Sequence, residues 1–467
     1  TGDDNVTVGY RSLHNGTTAA RNTLIGNKAG YAMTESTDNV AIGDSSLESV
    51  TDAGHRNIAI GTEALEANTS GDDNTAVGYR ALEANTSGST NVAVGRVSLG
   101  SNTTGAKNTA LGAYTLDTAT TSNDHVAIGY GALTDNTTGE SNTAVGANAL
   151  YACTTGNYGV AVGRQAMGAG IVTGSYNVGV GQGALYVVTS GENNTAVGKH
   201  TLISLTTGSD NVGIGNNALY SATTVSDSIA VGAYSLKSLT TGSTNVAVGA
   251  SSLRTCTTGT SNTAVGFSAL YELTTGTNNT AMGDRALREV TTGDQNTAFG
   301  RYSGDSVTTG DNNTCVGYDA GDTITTGSNN ICLGYNAEPT GVDASNEIIL
   351  GNTSNDDLRC NDTSISSLSD SRDKVDVVDL PAGLSFLNTL RPVKFKWQTR
   401  DGNIKDGRIR AGFLAQELQT AQKDNEFLDL VSNKNPDRLE AKYGNLIPVL
   451  VQAIKELSAK VTALEAK

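Results

Sequence analysis

A serine and a lysine stand five residues apart in the run Ser369-Asp370-Ser371-Arg372-Asp373-Lys374. A serine hydroxyl attacks a carbonyl only when a base removes its proton, and a lysine serves as that base once burial disfavours its ammonium form. The pair predicts a serine nucleophile with a lysine base. It sits at a boundary between two unlike stretches, which makes the chain itself the expected substrate. Asp370 and Arg372 are expected to orient the pair or stabilise charge. The same run also fits a plainer arrangement, in which Ser369, Asp370 and Arg372 form a helix cap and a surface ion pair.

The two stretches differ in kind. Of 467 residues only 37% are hydrophobic and 5% aromatic, low for an enzyme of this length. The chain has 55 Gly and 5 Pro, and the glycines recur with a strict period, which indicates a repeat architecture rather than disorder. Net charge is −16; residues 369–467 hold 16 basic and 14 acidic side chains, so residues 1–368 carry −18. An acidic rod of this kind predicts neither nucleic-acid binding nor attraction to anionic membranes. No apolar run is long enough to span a bilayer, and none reads as a signal peptide. The chain opens on Thr1-Gly2 inside a repeat, so an N-terminal anchor is expected upstream.

The glycine ending each Asn-x-Ala-Val-Gly segment falls at Gly9, Gly26, Gly43 and onward to Gly351, 21 copies spaced by 17 residues except for two steps of 18. The residue before it is always large and apolar (Ile60, Leu111, Phe299), and two earlier stands a β-branched residue (Val6, Ile58, Thr143). This alternation predicts a short strand that buries the face carrying these large residues. Between them lies usually Ala (Ala76, Ala247), whose face should be closely approached. Ala-Leu pairs such as Ala81-Leu82 supply a second anchor, and Thr-Thr-Gly (Thr291-Thr292-Gly293) a turn with glycine at positive φ. Coils this small are stable only when stacked. Asn stands four before the glycine in 17 of the 21 units, so stacking predicts an amide ladder. One chain coiling alone and three chains intertwining both satisfy the pattern.

The repeat offers few other sites. Thr pairs beside a turn do not form the flat alternating array of an ice-binding face. Acidic residues before the Asn (Asp3-Asp4, Asp72-Asp73, Asp210, Asp311) are read as solvated turn residues rather than calcium ligands. The five Cys are odd in number; Cys153 and Cys256 share one repeat position and Cys315 and Cys332 another, as small apolar residues of a stacked column. His14, His55, His125 and His200 are scattered, so no metal set and no cofactor is expected. After Gly351 the polar stretch to Leu368 reads as a transition.

In the last hundred residues, Leu384, Leu387 and Leu390 predict a short helix, Val393–Trp397 a strand, and 412–418 a buried element leading into a helix. Asn445 is the expected N-cap of a terminal helix. Its seam of Ile447, Leu450, Ile454, Leu457, Val461 and Leu464 has heptad spacing.

The repeats resemble the head repeats of trimeric autotransporter adhesins, β-rolls packed as trimers, and more closely those of viral fibres carrying a chaperone domain. By that analogy the Ala column would suit packing near a threefold axis. Ser-Asp-x-Arg-x-Lys at 369–374, Leu-Arg-Pro-Val-x-Phe-x-Trp at 390–397, Gly-Phe-Leu-Ala-Gln-Glu at 412–417 and Tyr443 before the last helix resemble the intramolecular chaperone domain of endosialidases and phage tail fibres. The resemblance implies a mostly β fold: a 17-residue-repeat solenoid shaft (1–351), a linker (352–368) and a small α+β chaperone domain (369–467). It implies a homotrimer, although the Ile/Leu seam alone favours a dimer. It also implies self-cleavage at Leu368–Ser369 by Ser369 with Lys374. The function implied is host attachment by a phage tail fibre on the virion or another extracellular surface. Its expected partners are its own copies, virion proteins and a host receptor, glycan or protein. A bacterial surface adhesin is the alternative. A polysaccharide-degrading tailspike is disfavoured, because no repeat carries an insertion in which to build a carboxylate-lined cleft.

Overall fold

The computed structural model describes residues 2–355, 369–398, 404–433 and 439–466. They fall into two units, Thr1–Ser354 and Asn355–Lys467.

The first unit is a parallel β-solenoid. Each repeat contributes one three-residue strand, from β1 (Val6–Val8) to β21 (Ile348–Leu350). Each pairs in parallel with the strand of the next repeat, so that Thr75, Ala76 and Val77 stand beside Val92, Ala93 and Val94. One chain therefore winds its own solenoid. At about 4.8 Å per coil the 21 coils rise roughly 100 Å. Both 18-residue steps keep register, Val40 beside Ile58 and Val160 beside Val178.

The strands face the other way from the prediction. The middle Ala (Ala76, Ala93, Ala110) is fully buried, while the large residues on either side are half-buried or exposed. The reason is width. Leu82, Leu99 and Leu116, from the opposite side of the coil, fill the interior. Only a methyl group fits between them and the strand. The Ala column therefore belongs to the core of a single chain, and the outer surface carries one column of large apolar side chains, with Phe299 56% and Leu350 55% exposed, beside a second column that mixes Val and Ile with Thr.

The second side of each coil is built without strands. Two and four residues after the strand-ending glycine the backbone is left-handed, as at Arg80 (φ 56°) and Leu82 (φ 53°). Arg80 donates its N–H back to Thr62 O, and Leu82 donates forward to Ser98 O, both at 3.0 Å. Left-handed backbone at a non-glycine residue costs about 1–3 kcal/mol. Here it is offset by hydrogen bonds that exist only when both neighbouring coils are in place. The Thr-Ser-Gly and Thr-Thr-Gly glycines do not have the positive φ expected of them. Gly88 is required by close approach instead, since a Cβ there would lie 2.3 Å from Gly105 O; positive φ belongs to the strand-ending Gly78 (φ 139°).

The Asn ladder is present and buried. Asn74 Oδ1 accepts the Asn91 N–H (2.9 Å) and Asn91 Nδ2 (3.2 Å), and Asn91 Nδ2 also reaches Gly105 O. A second ladder went unnoticed in the sequence: Asn102 Nδ2 donates to Asn85 Oδ1 and Asn85 Nδ2 to Asn68 Oδ1. The next residue of that column is Ala119, and Asn102 Oδ1 has no partner among the described residues. Several of the acidic residues before the ladder, Asp72, Asp73 and Asp311, are bound rather than merely solvated, whereas Asp3, Asp4 and Asp210 are exposed as expected. Asp72 Oδ1 accepts the His55 N–H of the preceding coil, and Ser89 Oγ does the same for Asp72 N–H. Any acceptor serves there, which explains why Asp and Ser interchange. Cys153, Cys256, Cys315 and Cys332 are buried free thiols.

The second unit contains α1 (Leu384–Leu387), the antiparallel hairpin β22 (Val393–Gln398) and β23 (Ile404–Gly412), α2 (Ala415–Ala421), the short pair β24 (Val431–Ser432) and β25 (Glu440–Ala441), and α3 (Leu446–Glu465). Its core joins Phe386 of α1, Leu418 of α2 and Leu430 to Leu446 and Val449 of α3. The predicted Leu384–Leu390 helix ends at Leu387. Asn445 stands before α3 but makes no side-chain cap; its amide donates to Leu428 O and Asp429 O. None of the six seam residues belongs to this core. All are exposed, by 44–69%, because Leu446, Val449 and Ala453 on the opposite face do the packing. Among the described residues no helix is long and apolar enough to cross a membrane.

Candidate functional site

The run 369–374 folds as a single tight turn. Residues Ser371–Asp373 make one 3₁₀ turn capped by Asp370, whose carboxylate accepts the Arg372 backbone N–H (2.9 Å) and Arg372 Nε (3.0 Å). Arg372 holds the Asp370 carboxyl below its ordinary pKa, and Asp370 raises that of Arg372. Lys374 N–H closes the turn on Ser371 O (3.4 Å). The backbone is thereby reversed, and Lys374 Nζ comes within 2.6 Å of Ser369 Oγ.

The two sequence interpretations divide the motif between them. Asp370 and Arg372 form the cap and ion pair; Ser369 takes no part in that cap and faces Lys374. As an ammonium, Lys374 donates to the hydroxyl. A neutral amine in the same place would accept the hydroxyl proton and leave an alkoxide-like nucleophile. Ser369 and Lys374 are both at the surface of the chain. Leu368, the other side of the expected scissile bond, lies outside the described residues.

The remaining motifs are tied to one another within the same unit. Arg391, before β22, pairs with Glu417 of α2 through Nε (3.1 Å). Tyr443 Oη accepts the Phe413 N–H (3.1 Å), and its ring meets the Phe413 ring edge-on at 5.8 Å. A Cβ at Gly412 would lie 2.7 Å from that hydroxyl, so glycine is needed for the approach. One contact was not foreseen: Glu456 of α3 accepts the Leu384 N–H (2.9 Å) and anchors the start of α1. Its 72-residue separation leaves no local signal.

Residues 369–426 match the model of the family described as chaperone of endosialidase. The C-terminal unit contains a chaperone-of-endosialidase domain. No curated protein matches the chain. The matched part of the chaperone domain takes in the Ser/Lys turn, the hairpin and α2, and ends before α3. The chaperone domain behind a solenoid of 17-residue repeats fits a tail-fibre-like protein.

Elsewhere, the carboxylates of Glu63, Glu66 and Glu83 come within 4.8 Å of one another among the described residues, with Arg80 Nε bonded to Glu63.

Proposed function

We propose that the protein is a homotrimeric tail fibre of a phage, serving host attachment, whose chaperone domain joins three shafts and then releases itself at Leu368–Ser369. The observation that carries this is the 2.6 Å contact between Lys374 Nζ and Ser369 Oγ inside the residues that match the chaperone family. The apolar surfaces support assembly from copies of one chain. The α3 seam is exposed and the shaft's column of large apolar residues before each strand-ending glycine is exposed or half-buried, and water-facing apolar stripes of that length call for partners. Virion proteins and a host receptor are the further partners of such a fibre.

In the cleavage step neutral Lys374 takes the Ser369 hydroxyl proton, and Ser369 Oγ bonds to the carbonyl carbon of residue 368. The peptide C–N bond breaks, the proton passes to the departing nitrogen, and residue 368 becomes an ester on Ser369. Water then hydrolyses the ester, leaving a carboxylate at 368 and a free amine at Ser369. Only water is consumed. Asp370 and Arg372 hold the turn that presents the pair.

Denaturing mass measurement on the intact protein tests the reading. The parent chain is expected as two fragments parting at Leu368–Ser369, and Ser369→Ala as one full-length chain. A single full-length mass from both would remove the protease and leave a permanent assembly domain.

A further inference from the structure

We infer that Cys315 and Cys332 are a disulfide-forming site, whose oxidation joins β19 (Thr314–Val316) to β20 (Ile331–Leu333) and staples the last coils of the shaft together. The site needs no cleavage at Leu368–Ser369.

Cysteines of one column meet only when they fall in consecutive coils. Cys153 and Cys256 share a column but stand six coils apart, and each thiol turns to a carbonyl of its own coil, Gly156 O and Gly259 O. Cys315 and Cys332 are direct partners in the parallel ladder, and both are fully buried. Paired strands lie about 4.8 Å apart, inside the Cα separation of roughly 4.4–6.8 Å that a disulfide spans. A Cβ placed on Gly321 would lie 2.5 Å from Cys315 Sγ and 3.5 Å from Cys332 Sγ, so one methyl-sized space touches both sulfurs. Contact with Cys332, together with burial, pushes the Cys315 thiol well above its ordinary pKa.

Packing alone does not call for cysteine here. In most coils the residue four after the strand-ending glycine is a leucine such as Leu287, but Gly304 and Gly321 hold that position beside Cys315. The missing side chain leaves room that a larger residue in the middle of the strand fills. The same exchange occurs near the other end of the shaft, where Gly30 replaces the leucine and Leu24 the alanine. A Cβ on Gly30 would lie 2.9 Å from Leu24 Cδ1. A hydrocarbon side chain thus fills such a gap; at Cys315 and Cys332 two thiols do so, in adjacent coils.

Their place in the shaft makes the pair reachable. Only β21 follows β20, and its middle residue Ile349, the neighbour of Cys332 in the ladder, is half-buried. End coils open most readily, and opening here bares the pair. One thiol then ionises and attacks a small disulfide such as oxidised glutathione, displacing one of its halves as a thiol. The second protein thiol attacks the sulfur of the first, forms the Cys315–Cys332 bond and releases the other half. Two protein S–H bonds and one small-molecule S–S bond are lost; one protein S–S bond and two small-molecule S–H bonds are gained. The extracellular fibre proposed above meets the oxidising surroundings in which such bonds persist.

The test incubates the full chain with oxidised glutathione, then alkylates it under denaturing conditions and maps the thiols by mass. Cys315 and Cys332 are expected to escape alkylation together, their linked segment two hydrogens lighter, while Cys153 and Cys256 are alkylated. Hydrogen exchange in residues 314–333 is expected to slow about 100-fold on oxidation, the scale for closing a loop of one repeat. Cys332→Ala should show neither change, and Ser369→Ala should oxidise as the parent does, whether or not the parent cleaves. Alkylation of both cysteines in excess oxidised glutathione, a glutathione adduct alone, a link between chains, or pairing of either with Cys360 would overturn the site. The parent chain carries this readout by itself, so a misfolded variant does not shield the proposal.

Discussion

The shaft and the C-terminal unit treat their polar and apolar groups in opposite ways. In the shaft the polar interior is paired coil to coil: Asn side chains bind the next Asn, and turn carboxylates and hydroxyls bind the N–H of the coil before. These bonds recur between corresponding positions at a separation of about one repeat. In the C-terminal unit the contacts join unlike residues far apart, Leu384 to Glu456 and Arg391 to Glu417. The shaft is therefore regular but degenerate, because coils so alike can pair one repeat out of place and restore nearly all contacts. The small unit has no such second register. A shaft whose left-handed residues are stabilised only by finished neighbours nucleates poorly by itself, and a compact non-repeating unit that assembled first would supply the missing starting point, as the proposed function requires.

The strongest way to break the comparison is to remove the seam. Ile454→Asp with Leu457→Asp places two charges where copies of α3 should meet, while leaving Leu446, Val449 and Ala453 to hold the chain's own core. Light scattering is expected to show complete loss of the parent oligomer, with shafts recovered as monomers or irregular aggregates. A parent-sized oligomer would mean that the shaft's outer columns suffice for assembly.

Within the shaft, Asn245→Ala tests whether repetition distributes stability. Asn245 Oδ1 accepts both the N–H and Nδ2 of Asn262, and its own Nδ2 binds Gly259 O (2.8 Å). Removing it strands buried donors, at a cost of about 1–3 kcal/mol. Hydrogen exchange should weaken in protection around that coil and its immediate neighbours only, since each coil contacts only those next to it. Loss of protection over the whole shaft would show a cooperative unit larger than this picture allows.

What could be read from the sequence follows the same division. The 17-residue period, the strand positions and the Asn column at Asn74, Asn91 and Asn108 were legible because identical residues recur at identical places. The inward face was not. In a three-residue strand both faces are apolar, and the choice depends on Leu82 and its equivalents across the coil, which fix how much room is left. The second ladder at Asn68, Asn85 and Asn102 was hidden because Ala119, Cys153 and Leu205 interrupt its column. In the C-terminal unit the closeness of Ser369 and Lys374 was legible, being local. The role of Glu456 was not, because it depends on how distant segments pack.

The most local prediction, an effect that vanishes at neutral pH, concerns an irregular step inside the regular part. His125 takes the place of Asn in the buried column, with Nδ1 accepting the Asn142 N–H at 3.1 Å and Nε2 3.1 Å from the Asn136 amide. Burial pushes its pKa down to about 4. A histidine whose pKa is lower folded than unfolded contributes its full stability above the unfolded value near 6.5, and loses it as pH falls through about 4. Protonation would also turn Nδ1 into a donor facing another donor. Acid should therefore loosen the coils around β8 (Val126–Ile128) by about 3 kcal/mol at most, beginning below about pH 6.5. His125→Asn restores the acceptor found in the neighbouring coils and has no such titration. Local opening free energies of parent and variant, measured by hydrogen exchange from pH 7 to pH 4, should diverge as pH falls, with the variant the more stable. Parallel profiles would mean that the histidine is solvated within the coil and that the column tolerates its charge, against the dry interior on which the shaft's ladders depend.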